Sequence, residues 1–406
     1  WGELGNCNTT AFYPFYQTMP TGVENSGWLI NGKKPNTASA PGIVSAEMTW
    51  ETVRSWNIGF DFGLLNNRLT GSFDYFVRNT LDMIGPALQL PATLGATVPK
   101  VNNADMKAWG FEVEVSWRDR IKDFNYGVKF VLSDDQRKVT RYPNEELNRN
   151  QWYAGRMDGL VWGYETVGIA KTDAEMEAHL ASLPNGGQSQ LGSKWAAGDI
   201  MYKDLNGDGK ISSGDGTLND LGDLKVVANT QLRFKYGLTL DASWKGFDFS
   251  AFFQGVGKRD VVVGGPYFWG ANGQGMWQAA AFKDHMDYFR PEDTESVFGP
   301  NVDAYYPRVI FGGGSSEGGK NTLTQSRYVQ NGAYIRLKNL QLGYTLPSTI
   351  TKKFAVNSLR VYVSGDNLWT GTKMRVFDPE VLGSTGDAGK AYPLARVWSV
   401  GLNVNF

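Results

Sequence analysis

Alternation with a period of two dominates this chain. From Trp56 to Leu64 the even positions are Trp56, Ile58, Phe60, Phe62 and Leu64, with Asn57, Gly59, Asp61 and Gly63 between them. Successive side chains of an extended strand point to opposite sides, so this spacing gives one apolar and one polar face. After Asn66-Asn67 the pattern resumes with Leu69, Phe73, Tyr75 and Val77. It recurs over residues 111–117, 126–132, 232–244, 247–253, 359–363 and 398–406. Over 333–346 the phase changes, with Ile335 and Leu337 on one parity and Leu340, Leu342, Tyr344 and Leu346 on the other. A β-bulge near Lys338-Asn339 would restore the face. Nine strands are thus predicted, mostly longer than the about 5–6 residues usual in globular proteins.

The connections alternate in length. Short links at Asn66-Asn67, 118–123, Lys245-Gly246 and 347–358 alternate with long ones at 85–108, 140–229, 258–332 and 372–393. Structureless loops beyond about 12–15 residues are rare in soluble domains. Transmembrane β-barrels, by contrast, combine short periplasmic turns with long extracellular loops. The fold class read here is all-β, an antiparallel transmembrane β-barrel. A soluble β-sandwich or propeller also alternates, turning its apolar face inward. It does not account for the strand lengths, the short-long rhythm or the many charges on the opposite face. Nine antiparallel strands cannot close, and single-chain bacterial barrels have even strand numbers. The strands therefore read as the C-terminal portion of a larger barrel over 51–406. Residues 1–50 lack sustained alternation and read as an extracellular loop region before the first strand.

Composition narrows the function. With 40 Lys+Arg against 41 Asp+Glu and no basic segment, nucleic acid is not an expected partner. An aromatic content of 13% excludes disorder. Cys7 alone cannot build a disulfide framework, and His179 and His285 are the only histidines. No run of 18 apolar residues offers a transmembrane helix, and a mean hydropathy of -0.35 suits strands that alternate. The chain begins at Trp1 and has no leader-like segment, so it reads as a mature or internal segment.

Several short motifs then carry a resemblance. They are Trp50-Glu51-Thr52 with Ser55-Trp56-Asn57-Ile58-Gly59-Phe60-Asp61, Tyr202-Lys203-Asp204-Leu205-Asn206-Gly207-Asp208-Gly209, and Phe252-Phe253-Gln254-Gly255-Val256-Gly257. Tyr306-Pro307-Arg308, Ala333-Tyr334-Ile335-Arg336-Leu337-Lys338-Asn339, and Gly343-Tyr344 with Leu346-Pro347 follow. Ser364-Gly365-Asp366-Asn367-Leu368, Asp378-Pro379-Glu380 and the run from Tyr392-Pro393 to Phe406 complete the series. Together and in order they resemble SusC/RagA-type TonB-dependent outer-membrane transporters of Bacteroidetes. The resemblance implies a 22-stranded barrel of which these are the last nine strands. It implies import of glycan fragments or oligopeptides across the bacterial outer membrane, driven by TonB through an N-terminal plug that has no match here. It also implies a SusD-like surface lipoprotein as a lid, outer-membrane lipid around the wall, and no enzymatic step. The alternative is a secreted or surface all-β glycan-binding protein with a calcium loop.

The sharpest local chemistry lies at 204–215. Asp204, Asn206 and Asp208 hold positions 1, 3 and 5 of a loop like those that bind Ca²⁺. Gly209 stands at the turn, the Lys210 carbonyl at position 7 and Asp215 at position 12. The expected cofactor is a structural Ca²⁺, with no organic cofactor. Trp162, Tyr164, Phe268, Trp269 and Trp277 in the long loops are candidates to stack on substrate, or else form the loops' own cores or the contact with the lid protein. Asp61, Glu112, Glu114, Arg233, Lys235 and Arg360 face the lumen and call for partners in a plug or a hydrated cavity. Thr172 with Glu175 predicts a capped helix near 172–183. No Ser-His-Asp order, phosphate loop or paired-carboxylate motif stands out. The terminal Phe406 resembles the signal read by outer-membrane insertion machinery.

Overall fold

A computed structural model describes the chain apart from residues 8–12, 14, 23–28, 39, 46–47, 86–90, 92, 94–97, 273–280, 312–315 and 384–389. In chain order the strands are β1 (Gly2–Asn6), β2 (Thr21–Gly22), β3 (Thr37–Ala38), β4 (Glu51–Leu64), β5 (Leu69–Ile84) and β6 (Asn102–Ile121). Next come β7 (Phe124–Arg141), β8 (Leu160–Tyr164), β9 (Thr166–Ile169), β10 (Ile200–Tyr202), β11 (Leu224–Asn229) and β12 (Arg233–Trp244). The last are β13 (Phe247–Lys258), β14 (Asp260–Val262), β15 (Val329–Asn331), β16 (Tyr334–Thr345), β17 (Ser358–Thr372) and β18 (Val397–Asn405). Ten of them form one sheet, in the order β1-β4-β5-β6-β7-β12-β13-β16-β17-β18. Pairing is antiparallel between β1 and β4 and throughout from β7 to β18. The remaining strands pair in twos.

All nine strands expected from alternation are in the sheet. Several run further than their pattern, β6 to 20 residues and β7 to 18. Most of the extra length of β7 is Ser133-Asp134-Asp135-Gln136-Arg137-Lys138, where both faces are polar. There the backbone ladder continues without an apolar face to advertise it. For the same reason the first turn after β6 is tighter than the expected 118–123. Only Lys122-Asp123 separate β6 from β7, with Lys122 at φ +55. Lys245 and Gly246 both take positive φ, as a two-residue hairpin turn requires. The bulge lies where the phase change put it, since Leu337 and Asn339 pair with Phe253 and Phe252 and Lys338 is passed over. The tenth strand, β1, falls inside the region expected to be loop. With two glycines and one large apolar residue, Gly2-Glu3-Leu4-Gly5-Asn6 shows no alternation. It is held by pairing with β4 and by an ion pair of Glu3 with Arg54 at 2.9 Å.

The chain divides into two compact units. The first comprises Trp1–Ile58, Tyr75–Gly110 and Asp135–Asp158. Its small core is Ala104, Val139 and Tyr142. Glu51, almost fully buried, accepts hydrogen bonds from the Asn6 side chain (2.7 Å) and the Ile84 amide (3.0 Å). Arg141 bridges Asp82 and Asp105 at 2.7 Å each.

The second unit comprises Gly59–Asp74, Phe111–Asp134 and Gly159–Phe406. Its sheet wears the apolar face outward. Phe249, Leu342, Val363 and Val400 lie side by side on β13, β16, β17 and β18. They are 36%, 55%, 44% and 79% exposed. The three inner strands of that row are hydrogen-bonded on both sides, so the exposure is not an edge effect. The unit's hydrophobic core lies in the long connections, where Ile200, Tyr202, Ile211, Val261 and Phe268 are wholly buried. A sandwich would bury the strand face and expose the loops; here the reverse holds.

Candidate functional site in the long connections

The connection after β7 from Gly159 onward, with those after β13 and β17, folds into one body within the second unit. β8 pairs with β11, β9 with β10, and β14 with β15. A helix, α1 (Asp173–Ala181), begins where the capping box predicts, Thr172 accepting the Glu175 amide at 3.2 Å and Met176 turned into the core.

Two of its ionic centres are buried. Asp199, fully buried, accepts from Arg308 Nε and Nη2 (2.6 and 2.7 Å) and from Asn321 Nδ2 (2.8 Å). It also pairs with Lys320 Nζ at 3.0 Å. Lys320 is itself buried, reaches Glu317 at 3.0 Å and the Lys194 carbonyl, and sits 4.5 Å from the Trp195 ring centre. Hydrogen bonds from the Ser193 hydroxyl and amide, with Lys320 beside it, hold the Glu317 carboxyl down to about 2. The second centre is Arg336 on β16, which donates to Thr370 (2.8 Å) and Asp378 (2.6 Å) and lies 2.8 Å from Glu380. Lys338 meets Glu380 at 2.8 Å, and Arg259 donates to the carbonyls of Pro379, Leu382 and Gly383. The segment after β17 is thereby clamped by three cations.

Of the candidate aromatics, the structure brings Tyr164, Phe268 and Trp269 into one cluster. Phe268 meets Trp269, Tyr306 and Tyr328 edge to face at 4.9, 5.6 and 6.1 Å, and Tyr164 lies 5.3 Å from Tyr202. These rings serve as packing for one another. Trp162 is half-buried on β8 opposite Val226, and Trp277 lies outside the described residues. Burial raises the Tyr306 hydroxyl well above its ordinary value, helped by Asp284, to which it donates at 3.1 Å. Arg375 lies 4.0 Å over the Tyr305 ring.

The 204–215 loop turns as its glycines demand, with Gly207 at φ +77 and Gly209 at φ +78. Asp204 accepts from the amides of Gly207 and Gly209 at 2.6 and 2.9 Å, Asn206 from Asp208, and Asp208 from Lys210. Asp215 is exposed and accepts from the Thr217 amide at 2.7 Å. The carboxylate beside Asp204 is instead Asp223, fully buried and accepting from Leu205 and Ser212 at 2.7 Å each. Burial raises the Asp223 carboxyl, and the charge of Asp204 adds to the rise. Twelve-residue spacing has no way to find Asp223, which returns after a detour through 216–222. Among the described residues no group of three or more His, Cys, Asp or Glu side chains is placed to hold a metal ion.

On the polar face of the sheet, three of the six charges expected to seek partners elsewhere find them within the wall. Arg233 pairs with Asp134 (2.5 Å), Glu114 with Lys129 (2.7 Å) and Arg360 with Asp248 (2.5 Å). Glu112 and Lys235 line a polar recess of about 310 Å³ with Ser72, Asp74 and Glu114. Asp61 lies on β4, outside that recess.

Residues 10–245 match the family model described as TonB dependent receptor-like, beta-barrel. TonB-dependent receptor P3 of Formosa agariphila is 27% identical over 402 residues, covering 93% of this chain and 36% of the relative. SusC of Bacteroides thetaiotaomicron is 23% identical over 411 residues, covering all of this chain and 37% of SusC. Among solved structures, the RagAB peptide transporter superposes with a TM-score of 0.70 at 21% identity, over 100% of this chain and 40% of that one. The chain thus spans well under half the length of each.

Proposed function

The chain belongs to the TonB-dependent receptor-like β-barrel family of outer-membrane proteins, and on that premise we propose that it forms part of the wall and outer loops of an importer. The cargo is glycan fragments or oligopeptides, moved by TonB through a plug supplied by the rest of the transporter. A SusD-like lipoprotein closes over the long connections. Binding and gating are all the chemistry this requires. The observation that carries the reading is the row Phe249, Leu342, Val363 and Val400, apolar and open on hydrogen-bonded inner strands. Hydrocarbon is the surrounding that such a face needs, and a secreted glycan-binding domain would have covered it.

The test sets neighbouring positions on opposite faces against each other. In the full-length transporter, Leu342→Arg is expected to cost about 2–4 kcal/mol of stability in the bilayer. It should cut the yield of folded protein in outer membranes. Gln341→Arg, one residue away on the polar face, should leave the yield near wild type. Equal yields for both would remove the lipid-facing assignment. The cargo follows from uptake of labelled oligopeptides and oligosaccharides by cells with and without TonB.

A structural Ca²⁺ in the 204–223 loop is part of the proposal. Two adjacent carboxylates, one of them wholly buried, repel each other unless a proton or a cation comes between them. Asp204, Asn206, Asp208 and the Lys210 carbonyl would have to draw in around the ion on binding, since no three carboxylates among the described residues are placed to hold it as they stand, with Asp223, which lies beside Asp204, in place of the Asp215 suggested by spacing. Millimolar Ca²⁺ should then protect residues 204–223 from amide exchange, measured by mass spectrometry. Asp204→Asn and Asp223→Asn should lose that protection and Asp215→Asn should keep it. The reverse ranking of the last two would restore Asp215 as the ligand.

A further inference from the structure

A small pocket in the loop body is bordered by a buried amide donor that no described residue satisfies. Its cavity of about 100 Å³ is walled by Trp269, Met286, Tyr288, Tyr306 and Val309, with Asn272 at one side. Asn272 is only 3% exposed. Its Oδ1 accepts the Ile310 amide at 3.3 Å, which fixes the orientation of the side-chain amide. Its Nδ2 has no hydrogen-bond partner among the described residues. A buried amide donor left unmade costs about 1–3 kcal/mol, so a fold retains one where something else completes it.

The lining decides what that something is. His285 also borders the cavity. Its Nδ1 accepts the Phe282 amide at 3.1 Å, so Nε2 carries the proton toward the Phe268 carbonyl at 3.1 Å and the ring is neutral. The Tyr306 hydroxyl is spent on Asp284. Among the described residues no Lys, Arg, Asp or Glu lines the pocket. A carboxylate or ammonium would shed its water there and meet no countercharge. A carbonyl oxygen meets Asn272 Nδ2, and the methyl or methylene beside it meets aromatic walls. A space of this size holds a few heavy atoms, since a water takes about 30 Å³.

We propose that this pocket binds a neutral acyl group, an amide or acetamido carbonyl with its attached apolar carbon, through the Asn272 side-chain amide. An N-acylated sugar and a peptide amide both offer that chemistry. The pocket does not rest on the import reading, because binding is measured on protein that moves nothing.

The experiment is saturation-transfer NMR on the full-length transporter in detergent. The probes are N-acetylglucosamine and N-acetyl-leucinamide, with glucose as the acetyl-free control. The expected result is saturation of the acetyl methyl of at least one probe, and none of glucose. Asn272→Leu removes the donor, and Val309→Trp blocks the cavity from an exposed position. Each should weaken binding roughly tenfold, the value of one good hydrogen bond or of its loss on exclusion. Saturation of one probe alone names the source as sugar or peptide. If neither acetyl methyl is saturated, or if both variants bind like wild type, the pocket is not an acyl site.

Discussion

Replacing Arg336 with methionine is expected to destabilise the loop body by about 3–5 kcal/mol, the usual cost of leaving a buried charge without its partner. Arg336 is 3% exposed and stands between Asp378 and Glu380, with Thr370 as a third acceptor. Methionine fills similar volume but strands two carboxylates that have little access to water. Lys338 still reaches Glu380, yet one ammonium cannot span both acids. The loss should concentrate where the clamp acts. Amide exchange over residues 378–382 should accelerate sharply, while the ladder between β12 and β13 stays protected. Arg336→Lys should fall between, because a point charge replaces a planar fork that bonds in two directions. Unchanged exchange in the methionine variant would show that the Arg259 bonds to the Pro379, Leu382 and Gly383 carbonyls hold the segment alone.

Arg336, Lys338, Asp378 and Glu380 also show what could be read in the sequence. All four stand in motifs that carry the family resemblance, but nothing in the order of residues says that one motif bonds the other across 42 positions. The same holds for Arg308 of Tyr306-Pro307-Arg308, whose partner Asp199 lies in no motif at all. Strands were legible because lipid imposes a period of two on every crossing, and the bulge was legible because a phase slip at Lys338 has only one cheap structural remedy. The loop body was not legible. Its core is built from Tyr202, Phe268, Tyr306 and Tyr328, which show no period because short irregular segments bury residues wherever the chain turns inward. Aromatic residues there looked equally suited to substrate and to packing, and burial assigns Phe268 to packing. Asn272 escaped notice because a single asparagine between Ala271 and Gly273 carries no signal until its amide is seen to be buried.

Lys320→Met should produce the second large effect, again about 3–5 kcal/mol and toward the lower end. Lys320 and Asp199 are both inaccessible to water, and Nζ also reaches Glu317 and lies over Trp195. Removing the ammonium leaves Asp199 with Arg308 and Asn321, so that carboxylate keeps some compensation, whereas Glu317 loses the Lys320 ammonium and keeps only neutral donors of Ser193 and Lys194 among the described residues. The charge explanation and the packing explanation make different predictions for the double variant Asp199→Asn with Lys320→Met. If the ion pair matters, the second substitution removes a charge that the first left unmatched, and the double variant is less destabilised than the sum of the singles by about 1–3 kcal/mol. If the lysine chain matters only as filler beside Trp195, the two losses add. Denaturant unfolding of the four proteins in detergent, followed by Trp195 fluorescence quenching or exchange at 194–202, distinguishes the two. Additivity would assign Lys320 to packing and leave Arg308 as the residue that makes a buried Asp199 tolerable.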